Sequence, residues 1–174
     1  MCEIKFRQVI IPEEIPALCD FDRLAFHAHP ADVFPAEEWR RYESYWMVLD
    51  GRIVGCTALQ KNSNELWITS TAVLPELRRQ GLGSKLKEWQ IEYARSHGFE
   101  RLGTVMRQSN EAMIRLNEKF GFERKRLEPH RYAEPDETGI VMELILPSHT
   151  CPKCGQQLRT RRAKQCRFCG ADWH

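Results

Sequence analysis

Apolar residues recur at two alternating periods along the 174-residue chain, and the period changes at turn residues. Ile4, Phe6 and Val9 fit a strand over residues 3–10. Residues 13–26 carry Ile15, Leu18, Cys19, Phe21 or Asp22, Ala25 and Phe26 at helical spacing, with Pro16 in the first turn, where no N–H is needed. Residues 27–34, bounded by prolines, read as a loop, and 36–43 as a short helix. Strands over 44–49 and 52–59 are joined at Asp50-Gly51, a strong hairpin signal between apolar runs. Asn62-Ser63-Asn64 turns the chain again, and 65–73 is a third strand that stops at Leu74-Pro75.

The period then returns to helical. Leu82, Leu86, Trp89, Tyr93 and Ala94 form one stripe of a helix that begins at Gly81-Leu82-Gly83 and runs to His97, with Gly98 as a left-handed cap. Residues 101–106 form a strand. Ser109 or Asn110 caps a further helix through Met113, Leu116 and Phe120, closed by Gly121. Residues 124–133 and 139–146 form a closing hairpin. The predicted order is strand, two helices, three strands, helix, strand, helix, two strands: a mixed α/β domain on one sheet. Trp46, Trp67 and Trp89 are expected to pack on the sheet or in the core.

Composition adds a boundary. Residues 1–150 hold 20 Lys/Arg against 23 Asp/Glu, whereas 151–174 hold six basic residues and only Asp172. That shift marks a separate module. The expected organisation is a domain over 1–146, a linker over 147–150 and a small module over 151–174. The 42% apolar content supports a packed core. There is no apolar run of membrane-spanning length and no secretory signal at the start, so the expectation is a cytoplasmic protein with no membrane partner. Cys2, Cys19 and Cys56 are scattered and read as unpaired thiols.

The densest chemistry lies where the third meander strand hands over to a helix. Arg78-Arg79-Gln80-Gly81-Leu82-Gly83-Ser84-Lys85 puts two glycines at a helix start, amid three cationic side chains. Unpaired N–H groups and the helix dipole favour an anion there, and glycine lets it approach closely. A plain strand-to-helix turn is the competing reading. The spacing is neither a P-loop nor a dinucleotide fingerprint.

With its Val73-Leu74-Pro75 lead-in, this segment resembles the Gln/Arg-x-x-Gly-x-Gly/Ala motif of the GNAT N-acetyltransferase superfamily. A second likeness is Asn110 at a helix start, followed by Leu116-Asn117-Glu118-Lys119-Phe120-Gly121-Phe122. The resemblance spans residues 3–146 and implies a GNAT-like mixed sheet flanked by helices. It implies acetyl-CoA as co-substrate, held between the strand ending at Val73 and the strand over 101–106. The diphosphate would sit on backbone N–H groups of Arg79, Gln80, Gly81, Leu82, Gly83 and Ser84, beside Arg78 and Lys85. The pantetheine arm would lie along Thr71, Ala72 and Val73, with Asn110 and Asn117 contacting the arm or the cofactor's end. The implied reaction is direct attack of a primary amine, on a small molecule or a protein, on the thioester.

The sequence departs from the family at Asn117, where many relatives carry a tyrosine that protonates the leaving thiolate. Asparagine donates a hydrogen bond but is no acid. Ser70, Tyr132 or water would substitute. Glu65 is a candidate base beside the bland reading of a solvated strand start; His27, His29 and Glu143 are others, the histidines suited to proton transfer near neutral pH. A homodimer is also compatible with the family.

Cys151-x-x-Cys154 and Cys166-x-x-Cys169, eleven residues apart and each followed by glycine, form two metal knuckles. Four thiolates suit a closed, tetrahedral Zn²⁺ site, structural rather than catalytic, with iron as the alternative metal. The segment resembles rubredoxin-like zinc ribbons. It is too short to fold without the ion, and only Leu158, Phe168 and Trp173 offer sizeable apolar surface. Four thiolates and one Zn²⁺ take the module's charge from +5 to +3. Arg159, Arg161, Arg162, Lys164 and Arg167 are thus a solvated turn, a weak nucleic-acid contact or a dock for an acidic protein. Two alternatives to an active transferase follow: a non-catalytic acyl-CoA sensor or adaptor, and a nucleic-acid- or ribosome-associated protein recruited by the ribbon.

Overall fold

The computed structural model describes residues 3–27, 30–146, 151, 153–154, 156, 158 and 164–172. Cys2, His29, the 147–150 linker, Gly155, Arg159, Arg161, Arg162 and Trp173 lie outside the described residues.

The elements follow the predicted order: β1 (Ile4–Gln8), α1 (Ile15–Ala25), α2 (Ala36–Trp39), β2 (Glu43–Leu49), β3 (Arg52–Asn62), β4 (Glu65–Val73), α3 (Leu82–Ser96), β5 (Arg101–Arg107), α4 (Glu111–Lys119), β6 (Glu123–Ala133) and β7 (Asp136–Ile145). Short 3-10 turns at Pro30–Asp32 and Pro75–Leu77 punctuate the loops. Helix α2 ends four residues earlier than expected, and Glu43, expected as its last residue, pairs with Leu59 and opens β2 instead. Strand β7 begins at Asp136 rather than 139, since Tyr132 and Ala133 already pair with Glu137 and Asp136. Asn110, not Ser109, caps α4: its Oδ1 accepts the Met113 N–H at 3.2 Å.

One seven-stranded sheet runs β1-β2-β3-β4-β5-β7-β6. All neighbours are antiparallel except β4 and β5. Helices α3 and α4 cover one face, where Ile91, Ala94 and Ile114 pack with Leu59, Leu66, Ile68, Leu102 and Met142. Helices α1 and α2 cover the other, where Leu18, Phe21 and Trp39 pack with Trp46, Cys56, Ala58 and Ala72. Trp89 stacks on Phe6 at 4.6 Å between ring centroids, and the Trp67 ring lies over Gly103. The outer strand β6 is exposed along most of its length and dense in charge, which protects an unpaired edge from joining another sheet.

Candidate functional site

Two features of β4 shape the site. The first is a bulge. Ala58 faces Ser70 while Leu59 faces Ile68, so Thr69 is the extra residue. An extra residue reverses which face later side chains take. Leu66 and Ile68 accordingly pack toward α3 and α4, whereas Ala72, at the same parity, packs toward α1. Thr71 and Val73 take over the α3 side: Gln90 Nε2 donates to Thr71 Oγ1 at 2.9 Å, and Val73 packs with Leu82 and Leu86. Two side-chain bonds pin the bulge, Thr69 Oγ1 to the Ala58 carbonyl at 3.1 Å and Thr57 Oγ1 to the Ser70 carbonyl at 2.8 Å.

The second feature is a split. Strands β4 and β5 pair in parallel only over Glu65–Ile68 and Arg101–Thr104. Beyond Ile68, β4 stays with β3, while β5 stays with β7 out to Arg107 and Gly139. Backbone groups of β4 that face away from β3 past Ile68 therefore have no strand to pair with among the described residues, and a ligand can serve as one.

Helix α3 starts just past this opening. Gly81 sits at its N-cap with φ +84°, and Arg79 also has a positive φ, +62°. Such angles suit glycine because no side chain crowds the backbone. The first intrahelical bond is Lys85 N–H to the Gly81 carbonyl at 3.1 Å, so the N–H groups of Leu82, Gly83 and Ser84 have no helix carbonyl within reach. A Cβ built on Gly81 meets nothing within 4 Å, leaving open space in front of the turn. Arg79, Gln80 and Lys85 are exposed around it. Arg78 is engaged elsewhere: its Nη2 donates to the Ala25 carbonyl at 2.6 Å and its Nε to the Val73 carbonyl at 3.2 Å.

The other site residues named from sequence divide in two. Ser70 is 9% exposed and lies past the split. Tyr132, at the far end of β6, has its ring 4.3 Å from the Arg107 guanidinium carbon; burial, then the nearby Asp32 charge, pushes its hydroxyl up to about 12. Glu65 and Glu143 stand instead at the closed end. Glu65 pairs with Arg101 at 2.7 Å, and Glu143 approaches Arg101 at 3.8 Å. Asn117 is fully buried, its Nδ2 directed at the sulfurs of Met106 (3.4 Å) and Met142 (3.9 Å), its Oδ1 without a partner among the described residues. His27 is exposed.

Sequence reasoning gave no role to three buried polar groups around the site. Gln90 bridges Thr57 and Thr71 through Nε2, at 2.8 and 2.9 Å. Asp22 accepts the Phe34 N–H at 2.7 Å; burial, reinforced by Asp32, pushes its carboxyl up to about 6. Arg107 binds Asp32 through two nitrogens. None carries a motif; the available signal was a polar residue at a core position of a periodic element.

The four C-terminal cysteines do converge. Their sulfurs all lie within 4.8 Å of one another, with Cys151–Cys169 and Cys154–Cys166 at 3.6 Å. A tetrahedron with Zn–S of about 2.3 Å has S–S edges near ~3.8 Å, so the cluster fits that ion. Turn bonds shape both knuckles: Lys153 N–H to Cys151 Sγ at 3.3 Å, and Gly170 N–H to the Cys166 carbonyl at 2.8 Å. Cys19 and Cys56 are buried free thiols.

A parallel pair that opens beside a glycine-led helix start defines an acyl-CoA transferase scaffold. Residues 15–122 match the Acetyltransferase (GNAT) family, and the chain belongs to it. It is an acetyl-CoA-dependent N-acetyltransferase of an amine. Among its relatives is the [ribosomal protein bS18]-alanine N-acetyltransferase of Escherichia coli (strain K12), 30% identical over 135 residues, covering 75% of this chain and 90% of the relative. The crystal structure of the Escherichia coli ribosomal-protein alanine N-acetyltransferase superposes with a TM-score of 0.73 at 25% identity, over 82% of this chain and 94% of that one. A GNAT family acetyltransferase from Elizabethkingia anophelis with acetyl-CoA bound shares the fold, with a TM-score of 0.69 at 18% identity, over 82% and 98% of the two chains.

Proposed function

We propose that this enzyme acetylates the α-amine of a polypeptide, with acetyl-CoA seated in the split between β4 and β5. The carrying observation is that β4 loses its parallel partner after Ile68 where α3 presents unpaired N–H groups beyond it. The diphosphate lies on the N–H groups of Arg79, Gln80, Gly81, Leu82, Gly83 and Ser84, with Arg79 and Lys85 supplying positive charge. Arg78 braces the turn through the Ala25 and Val73 carbonyls. The pantetheine arm runs along Thr71, Ala72 and Val73 as a substitute strand. Asn110, whose Oδ1 caps α4, keeps its amide N–H groups for the arm. The Asn117 side chain stays beneath the β5 wall, where it fixes the position of Met106.

The amine nitrogen attacks the thioester carbon, and a β4 N–H at the bulge holds the developing oxyanion. The C–S bond then breaks, the amide keeps the acetyl group, and the amine's surplus proton leaves through Ser70 and water. Tyr132 stays protonated at neutral pH and stabilises the CoA thiolate by hydrogen bonding. A thiolate whose conjugate acid has a pKa of ~8.5 is too weak a base to take a proton fully from a phenol near 12. Glu65 and Glu143, paired with Arg101 at the closed end, hold the sheet rather than the proton.

The name of the Escherichia coli relative supports a protein α-amine as acceptor. The test is a panel of peptides with free N-termini, small polyamines and Nα-blocked lysine peptides, read by mass spectrometry. Transfer to α-amines is expected; transfer confined to lysine side chains or small amines would redirect the acceptor assignment.

In this reading residues 1–146 form the catalytic domain, 147–150 a linker and 151–174 a zinc ribbon. Cys151, Cys154, Cys166 and Cys169 hold one Zn²⁺ that orders the module. The enzyme works in the cytoplasm; among the described residues no helix is long and apolar enough to cross a membrane. The ribbon also contacts single-stranded nucleic acid. Phe168 is 54% exposed with the Arg167 guanidinium carbon 4.7 Å from its ring centroid, Lys153 and Lys164 of the same module are exposed, and exposed aromatics beside cations stack bases. Binding of a labelled uridine oligomer should weaken with salt and with Phe168→Ala; binding that ignores both would remove this contact.

A further inference from the structure

One buried side chain ties together segments that are far apart in sequence. Arg107 closes β5 beyond the split and is 5% exposed. Its Nε and Nη2 donate to the two oxygens of Asp32 at 2.8 and 2.7 Å. Nη2 also reaches the Glu134 carbonyl at 2.9 Å, and Nη1 reaches the Pro135 carbonyl at 3.1 Å and Glu137 Oε2 at 3.3 Å. Glu137 Oε1 in turn accepts the Ser109 N–H at 2.5 Å. The Tyr132 ring covers one face of the guanidinium. Asp32 belongs to the α1–α2 connection, Glu134 and Pro135 to the β6–β7 turn, Glu137 to the start of β7, and Ser109 to the approach to α4.

The end of α1 that leads into this connection is held by Arg78, through the Ala25 carbonyl. Arg78 is anchored to the end of β4, and Arg107 is the end of β5. The connection is therefore fastened to both strands on the side where they have separated.

We propose that Arg107 is the positioning residue for the acceptor amine: it holds the α1–α2 connection and the β6–β7 turn as the two walls of the acceptor site at the mouth of the split. This rests on reading that split as the acyl-donor site. The role demands arginine. Five donors in a plane serve two carboxylates and two carbonyls at once, whereas an ammonium has three donors and no plane. Nearby Asp32, then Glu137, holds the guanidinium pKa above its ordinary value, so the tie stays charged at every working pH.

The experiment compares wild type with Arg107→Gln, Arg107→Lys and the milder Glu137→Gln, as full-length zinc-loaded protein. An alanine-initiated peptide serves as acceptor. For both Arg107 variants the peptide KM should rise about 10- to 100-fold, since a displaced wall loses binding contacts with the peptide. Acetyl-CoA affinity by calorimetry should stay within about twofold. Glu137→Gln should fall between. Amide hydrogen exchange should accelerate together at residues 30–35 and 134–139 and stay unchanged at 81–86. An unchanged peptide KM, a loss that falls on acetyl-CoA affinity, or exchange that changes in one segment alone would overturn the assignment. Should wild type acetylate no peptide, the polypeptide acceptor fails, and the paired exchange response alone decides the tie.

Discussion

Lys87→Met is expected to make this protein more stable at neutral pH. Lys87 lies on α3, 1% exposed, with its Nζ 5.0 Å from the Phe122 ring centroid and no carboxylate in reach among the described residues. Burial lowers its pKa from the ordinary 10.5 to about 7. The unfolded chain therefore binds more protons than the folded one between those values, and stability rises with pH across that window. Below pH 7 the full cost applies: at 1.36 kcal/mol per pH unit the fall converts to about 5 kcal/mol. The contact with the Phe122 ring offsets up to ~2 kcal/mol. Methionine fills similar volume without the charge and loses both terms, so a net gain of about 3 kcal/mol is expected at pH 6.5. Denaturant melts of both proteins at pH 6.5 and pH ~10 measure it, and the advantage should shrink toward zero at the higher pH. A gap of equal size at both pH values, or a less stable variant at pH 6.5, would refute the reasoning.

Asp22→Asn should stabilise the protein above pH ~6 and leave it unchanged near pH 4. Burial, and then the charge of Asp32, raises the folded carboxyl from 3.8 to about 6, so the protonated form favours the fold and that advantage is lost as pH rises through 6. The upper bound is ~3 kcal/mol, with the Phe34 N–H still served by the amide oxygen, and a pH-independent difference in melts would contradict it. Gly103→Ala should destabilise by about 1–3 kcal/mol, because its Cβ would fall 2.9 Å from the Trp67 ring at the closed end of the strand pair; an unchanged melt would mean the ring moves freely.

The periodic part of the molecule was legible in the sequence. Asp50-Gly51 marked a hairpin, Gly81-Leu82-Gly83 a helix start, and residues 65–73, between two turns, a strand. What escaped were places where a polar residue takes a core position. Lys87 and Gln90 share α3 with the apolar stripe yet are buried, Lys87 against the Phe122 ring and Gln90 against Thr57 of β3 and Thr71 of β4. The bulge at Thr69 left no trace, since it depends on register with β3 rather than on residue type. Arg107 looked like an ordinary strand end; its partner Asp32 is 75 positions away and only the folded chain brings them together. The cysteine cluster was the opposite case, because paired Cys-x-x-Cys spacing alone dictates convergence.

Calorimetric titration of acetyl-CoA into wild type and Gly81→Glu tests the central claim most directly. Gly81 has φ +84°, which costs a residue with a side chain about 1–2 kcal/mol, and the glutamate would project into open space at the α3 N-terminus, where the proposed acetyl-CoA site seats the diphosphate. The account predicts measurable binding to wild type and none to a variant that still melts cooperatively. Equal affinity in the two proteins would contradict it.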